Sequence, residues 1–281
     1  MSKSPQRTTR GLIYRSQFVT PVDRKSILDY LASIYPIWEM RYSANNPPPD
    51  GAAQRQLLRP VYWLGNWQFA CLNYYHPPKG IEYRCVKAEP FPPALQRLAL
   101  QMEDIARNEF EPKDIPRRWH FNTCLINYYG NKLENGKWVD CARVGEHRDF
   151  EPGPVGSISL GDRALFQFVE SKDRKAQSQV VLQQWLEDSS AQIFASDRYK
   201  KHLFHRVQRV EQKWNEKFKD NTTNFDTRRV NFTFRYVPDE HIYDLKSIPL
   251  ESQQDVKAYL LELAQHSSWF AAANHAVLEK L

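Results

Sequence analysis

Between residues 123 and 237 the chain breaks into eight short runs: "TCLINYY", "GEHRD", "VGSISLG", "ALFQFV", "QVVLQQWLE", "SAQIFAS", "HLFHRVQ" and "RRVNFTFRYV". Most are rich in β-branched and aromatic residues, and all are separated by turn-like or charged segments, which is the signature of strands. Consecutive short strands of this kind predict a β-sandwich or jelly roll. "ENGKW", residues 134–138, is a hairpin turn signal within the first long connection.

Helical spacing appears on either side. "PVDRKSILDYLASIYPIW" places Ile27, Leu28, Leu31 and Ile34 on one face behind Pro21, and 94–110 does so with Leu95, Leu98, Ala99, Met102, Ile105 and Ala106. "SANNPPPDG" reads as a loop. "DVKAYLLELAQ" and "NHAVLEKL" return to helix near the end and are expected to pack outside the barrel. The expected fold is therefore a mostly β core with flanking helices. Its expected divisions are a flexible basic arm (1–20), a helical and substrate-recognition extension (21–120), the strand-rich core (121–238) and a C-terminal helical extension (239–281).

Other classes are disfavoured. Hydrophobic residues make up 41% of the 281 and charged residues 26%, which excludes wholesale disorder. No apolar run approaches the roughly 18 residues of a membrane span, and the basic start has no apolar segment behind it to make a signal peptide. Cys71, Cys85, Cys124 and Cys141 form no CxxC pair and read as reduced thiols. The expectation is a cytoplasmic protein, nuclear in a eukaryote, and monomeric. The net charge of +6 favours an anionic partner, nucleic acid being the commonest.

Two runs carry chemistry. In a strand, residues i and i+2 share a face, so His147 and Asp149 project together while Arg148 points away. An imidazole and a carboxylate on one face supply two ligands of a two-histidine, one-carboxylate site that leaves iron positions open. "HLFHRV" offers the third as His202 or His205. Zinc is the competing metal, but no cysteine lies nearby to close its site.

In "RRVNFTFR", Arg229, Asn231, Thr233 and Arg235 share one face, and Val230, Phe232 and Phe234 the other. An ordinary antiparallel strand would turn the polar face to water. A jelly roll can instead enclose a ligand, and two inward guanidiniums would then suit a dicarboxylate. "CLINYY" likewise places Asn127 and Tyr129 together, both donors able to reach a carboxylate.

The segment from about 121 to 237 resembles the AlkB family of Fe(II)/2-oxoglutarate dioxygenases. The resemblance lies in "LINYYG", "GEHRDFEPG", "SISLG", "FQF", "LFHRVQ" and "RVNFTFR", in matching order. It implies a double-stranded β-helix (jelly roll) using Fe(II), 2-oxoglutarate and O2. It further implies that His147, Asp149 and His205 hold iron and that Arg229 grips the distal carboxylate of 2-oxoglutarate. Asn127, Tyr129 and Asn231 would bond the co-substrate's oxygens, and Arg235 would bridge its proximal carboxylate and Asp149. Glu151 would face the substrate base, with Trp67 or Tyr75 stacking on it. His202 is expected to face solvent.

The reaction so implied is oxidative removal of an N-alkyl group from a base in DNA or RNA, with the base flipped out or single-stranded. A protein, lipid or modified transfer RNA is the alternative substrate, and an iron-free jelly-roll binding module the alternative from another class. The connections 128–146 and 206–228 are longer than in the bacterial prototype, and the helix after 250 is additional.

Overall fold

The computed structural model describes residues 7–40, 56–68, 85–170, 178–211, 217–247 and 250–278. In chain order the elements are β1 (Arg7–Thr9), β2 (Leu12–Arg15), α1 (Pro21–Leu31), β3 (Val61–Leu64), β4 (Asn66–Trp67), β5 (Val86–Lys87) and α2 (Pro93–Glu109). The strand-rich part follows as β6 (Thr123–Glu134), β7 (Lys137–Asp140), β8 (Val144–His147), β9 (Val155–Gly161), β10 (Ala164–Val169) and β11 (Val180–Leu186). It ends with β12 (Ser190–Phe194), β13 (Phe204–Val210) and β14 (Phe225–Arg235), before α3 (Leu250–Ala264) and α4 (Ser268–Leu278).

The strands form a major sheet, ordered β1-β2-β12-β9-β14-β6-β3 with β7 beside β6, and a minor sheet, ordered β11-β10-β13-β8. Pairing within both is antiparallel. Together they make the expected jelly roll. The β6–β7 hairpin turns at Asn135 and Gly136, both with positive φ, as "ENGKW" predicts.

The two faces of the major sheet differ. Val230, Phe232 and Phe234 of β14 are fully buried with Leu95, Leu98 and Met102 of α2 and Ile27 and Leu31 of α1. Burying a side chain of the Phe232 or Phe234 type stabilises by roughly 1.5–3 kcal/mol. Thr20 caps α1, its Oγ1 accepting from Asp23 N at 3.1 Å, with Pro21 in the first turn where no amide is missed. Val256 and Leu260 of α3 and Phe270 of α4 join the same cluster. The opposite face of the sheet meets the minor sheet across Tyr129, Val155, Phe166, Phe194 and Val207.

Two sequence expectations need correction. Residues 7–15 are no flexible arm: β1 and β2 form a hairpin, and β2 extends the major sheet by pairing with β12. Leu12, Ile13 and Tyr14 are buried there, and this apolar triplet outweighs the basic residues around it. Arg10 and Arg15 reach acidic partners at Glu111 and Glu109 instead of solvent alone. Trp67, expected to stack on a base, is a core residue with no exposure. Its ring lies edge-on to Tyr259 and Phe270, and its Nε1 donates to Glu39 Oε1 at 2.7 Å. Among the described residues no helix is long and apolar enough to cross a membrane.

Candidate active site

Between the sheets lies a cavity of about 230 Å³. Its walls are Asn127 and Tyr129 of β6, Ser157 of β9, and Arg229, Asn231, Thr233 and Arg235 of β14 on one side. His147, Phe166, His205 and Val207 face them. The polar face of β14 therefore points inward. A register shift between Thr227 and Arg229 sets this face, with Arg228 directed instead to Asp162, Nε to Oδ2 at 3.0 Å. Gly130 sits opposite that shift, where a Cβ would lie 1.9 Å from the Asp226 carbonyl oxygen.

His147, Asp149 and His205 converge, their ligand atoms all within 4.8 Å of one another. β8 and β13 pair so that His147 and His205 are direct register partners. His147 Nδ1 lies 2.8 Å from Gly145 O. Donation there leaves Nε2 as the lone-pair nitrogen for a metal. His205 Nε2 is 3.3 Å from Asp149 Oδ2, and Phe166 stacks near the His205 ring at 5.4 Å. Arg235 holds the other carboxylate oxygen, Nε and Nη2 each 2.8 Å from Asp149 Oδ1. Burial opposes the Asp149 charge, yet the Arg235 guanidinium holds its carboxyl well below the usual range. Burial lowers both histidines, keeping them neutral as metal ligation demands.

Arg229 is wholly buried. One terminal nitrogen donates to Ser159 Oγ at 2.9 Å, while Nε and Nη1 have no partner. A buried guanidinium with two open donors is costly until an anion fills the fork, and a carboxylate fits it. Tyr129 lies beneath, 5.0 Å from the guanidinium carbon to the ring centroid. Asn231 lines the cavity as expected, but its amide is engaged: Nδ2 donates to Ile158 O at 2.9 Å, and Oδ1 accepts from Thr233 at 2.9 Å. It braces the wall beside Ser159.

Sequence reasoning missed Arg59. This residue lines the cavity, donates Nε to Asn127 Oδ1 at 2.9 Å, and lies 5.2 Å over Tyr129 on its own account. Ser159 was readable, because the alternation of "VGSISLG" places Ser157 and Ser159 on the β14-facing register. Glu151 is buried outside the cavity wall, accepting from Gln68 Nε2 at 3.1 Å and lying 3.5 Å from Arg235 Nε. His202 is exposed, as expected, and Tyr75 lies outside the described residues.

A jelly roll that sets three metal-ligand side chains beside an anion-seeking arginine is built for oxygen chemistry on iron with a dicarboxylate co-substrate. The model of the 2OG-Fe(II) oxygenase superfamily matches residues 11–235, and the chain belongs to that superfamily. It is a 2-oxoglutarate-dependent dioxygenase, with Fe(II), 2-oxoglutarate and O2 as its cofactor set.

Among solved structures, that of OsALKBH1, an AlkB homologue, is 19% identical, covering 82% of this chain and 100% of that one at a TM-score of 0.51. The likeness is one of fold. YcfD, a ribosomal oxygenase from Escherichia coli, is 11% identical over 93% of this chain and 65% of its own, at a TM-score of 0.33. A BsmA homologue from Methylobium petroleophilum is 11% identical over 82% and 89%, at 0.38. No curated protein matches the chain.

Proposed function

We propose that this dioxygenase removes alkyl groups from nucleobases in DNA or RNA, with His147, Asp149 and His205 holding its iron. Bound there with 2-oxoglutarate and O2, iron would supply the oxidation of an N-alkyl carbon, so that the group would leave as an aldehyde, formaldehyde for a methyl. The chain's own residues provide placement. Arg229 takes the distal carboxylate of 2-oxoglutarate, with Tyr129 and Asn127 alongside. Arg235 fixes the Asp149 carboxylate by one oxygen and turns the other toward the metal position. Phe166, Leu186 and Phe194 keep part of the cavity dry, so these charges act at low dielectric.

One observation carries the nucleic-acid reading. Arg143 is exposed and lines the cavity that holds the triad, which puts a cation at its wall within reach of solvent. The resemblance of the strand motifs to AlkB and the net charge of +6 support the same reading. Phosphate contacts of this kind bind through counterion release.

The test is mass spectrometry on methylated DNA and RNA oligonucleotides treated with iron-loaded protein and 2-oxoglutarate. The reading expects loss of 14 mass units per methyl group from at least one lesion, about one methylene. Consumption of 2-oxoglutarate with every lesion left intact rejects it.

A further inference from the structure

Arg59 enters the cavity through a pairing that runs on past its strand. In the β3–β6 register Val61 lies opposite Asn127. Beyond the end of β3, Tyr128 N still donates to Pro60 O at 3.2 Å, and Pro60 keeps the residue before it extended. Side chains opposite one another on paired strands share a face, so Arg59 falls beside Tyr129 on the cavity side. There Arg59 Nε donates to Asn127 Oδ1 at 2.9 Å, which fixes the orientation of the Asn127 amide. Among the described residues, neither terminal nitrogen of Arg59 has a hydrogen-bond partner.

Two buried guanidiniums thus pack on one ring. The guanidinium carbon of Arg59 is 5.2 Å from the Tyr129 ring centroid, and that of Arg229 is 5.0 Å from it. Arg235 already has Asp149 as its partner, and Arg206 holds Glu146, the other carboxylate on the cavity wall. Arg59 and Arg229 are left without a carboxylate among the described residues. Burial, and with it the Arg59 charge, works against the Arg229 guanidinium. Two like charges drawn together out of water are costly until an anion joins them.

We infer that Arg59 is a second anchor for 2-oxoglutarate, sharing with Arg229 the carboxylate farther from the metal. Arg229 receives that carboxylate through its open Nε and Nη1, and Arg59 meets it from the β3 side with its free terminal nitrogens. The inference concerns the co-substrate alone and stands whether or not the substrate is a nucleic acid.

The test compares 2-oxoglutarate with 2-oxopentanoate, in which a methyl replaces the distal carboxylate and the 2-oxoacid end is unchanged. Calorimetry measures the binding of both to the metal-free full chain, and to the iron-loaded chain with O2 excluded. Two variants separate the two contacts of Arg59. Arg59→Gln sets an amide nitrogen where the arginine Nε stood, keeping a donor for Asn127 and removing the charge. Arg59→Lys keeps the charge and drops that donor. Wild type should prefer 2-oxoglutarate, and Arg59→Gln should cut this preference at least about tenfold by weakening 2-oxoglutarate alone. Unchanged binding of 2-oxopentanoate shows that the pocket is still built. Arg59→Lys should keep the greater part of the preference. An Arg59→Gln variant with the wild-type preference overturns the inference, whether the two acids bind as before or weaken equally. So does the reverse pattern, with Arg59→Lys impaired and Arg59→Gln intact, because Arg59 would then only brace Asn127.

Discussion

His147 and His205 stand directly opposite one another on adjacent antiparallel strands, their ring centroids 4.2 Å apart. Cross-strand pairing thus sets the spacing of two candidate iron ligands, and Asp149 enters from two residues beyond the strand end. His205→Ala should lose iron and activity together, whereas the exposed His202→Ala should retain both. Metal content by mass spectrometry of purified variants decides this; exchanged behaviour of the two variants means that the ligand assignment is wrong.

Arg229→Ala removes the guanidinium whose Nε and Nη1 lack a partner. Losing one side of a buried charged pair costs about 2–5 kcal/mol. The concentration of 2-oxoglutarate giving half-maximal turnover should rise at least tens-fold, with circular dichroism unchanged. Turnover unaffected at limiting 2-oxoglutarate excludes this pocket as the co-substrate site. Arg235→Ala should damage iron binding as well, because Arg235 holds Asp149 directly.

Trp67→Ala should act on stability rather than on substrate choice. Removing a buried aromatic of this kind costs about 3–5 kcal/mol, and here it also strips one of two indole donors from Glu39. Calorimetry should show a clear fall in the unfolding temperature. A variant that melts like wild type but loses oligonucleotide turnover would restore Trp67 to the substrate site.

Glu39 gives the fold a pH dependence. Burial raises its carboxyl to about 7, although Trp67 and then Trp63 donate to it and pull the other way. The native state therefore keeps a proton that the unfolded chain releases near the ordinary glutamate pKa. Stability from this group is fully present below about pH 4.3 and is lost as pH rises through 7. Glu39→Gln should flatten urea-measured stability between those limits; an equally steep decline in the variant assigns the slope to other groups.

Arg143→Ala should weaken oligonucleotide binding without altering 2-oxoglutarate affinity. Every phosphate of a single strand that the protein no longer neutralises lowers the log–log salt slope by about 0.7. An identical slope in the variant removes Arg143 from the interface.

Much of the site was readable because strand geometry repeats every two residues. The alternation in "RRVNFTFR" separates Arg229 and Arg235 from Phe232 and Phe234; Asp149 does meet His147 as expected, but from the loop two residues past the end of β8 and not by strand alternation. Which face lies inward was not readable from the strand itself. The answer depends on β13 and β8 closing over it, a pairing remote in sequence. Trp67 failed for a related reason: Glu39, Tyr259 and Phe270, which enclose it, lie far away along the chain. Arg59 sits before a proline at a strand entrance, with no periodic partner to mark it as a cavity residue.

The N-terminal hairpin sets an order of assembly. Leu12–Arg15 leave the ribosome early, but their pairing partner is Ser190–Phe194. Until that segment emerges, an apolar strand edge waits unpaired, and pairings so distant along the chain form slowly. Chaperones that bind extended apolar segments therefore have a natural target at Leu12, Ile13 and Tyr14. Removal of the hairpin should slow or prevent maturation even though it touches none of the iron ligands.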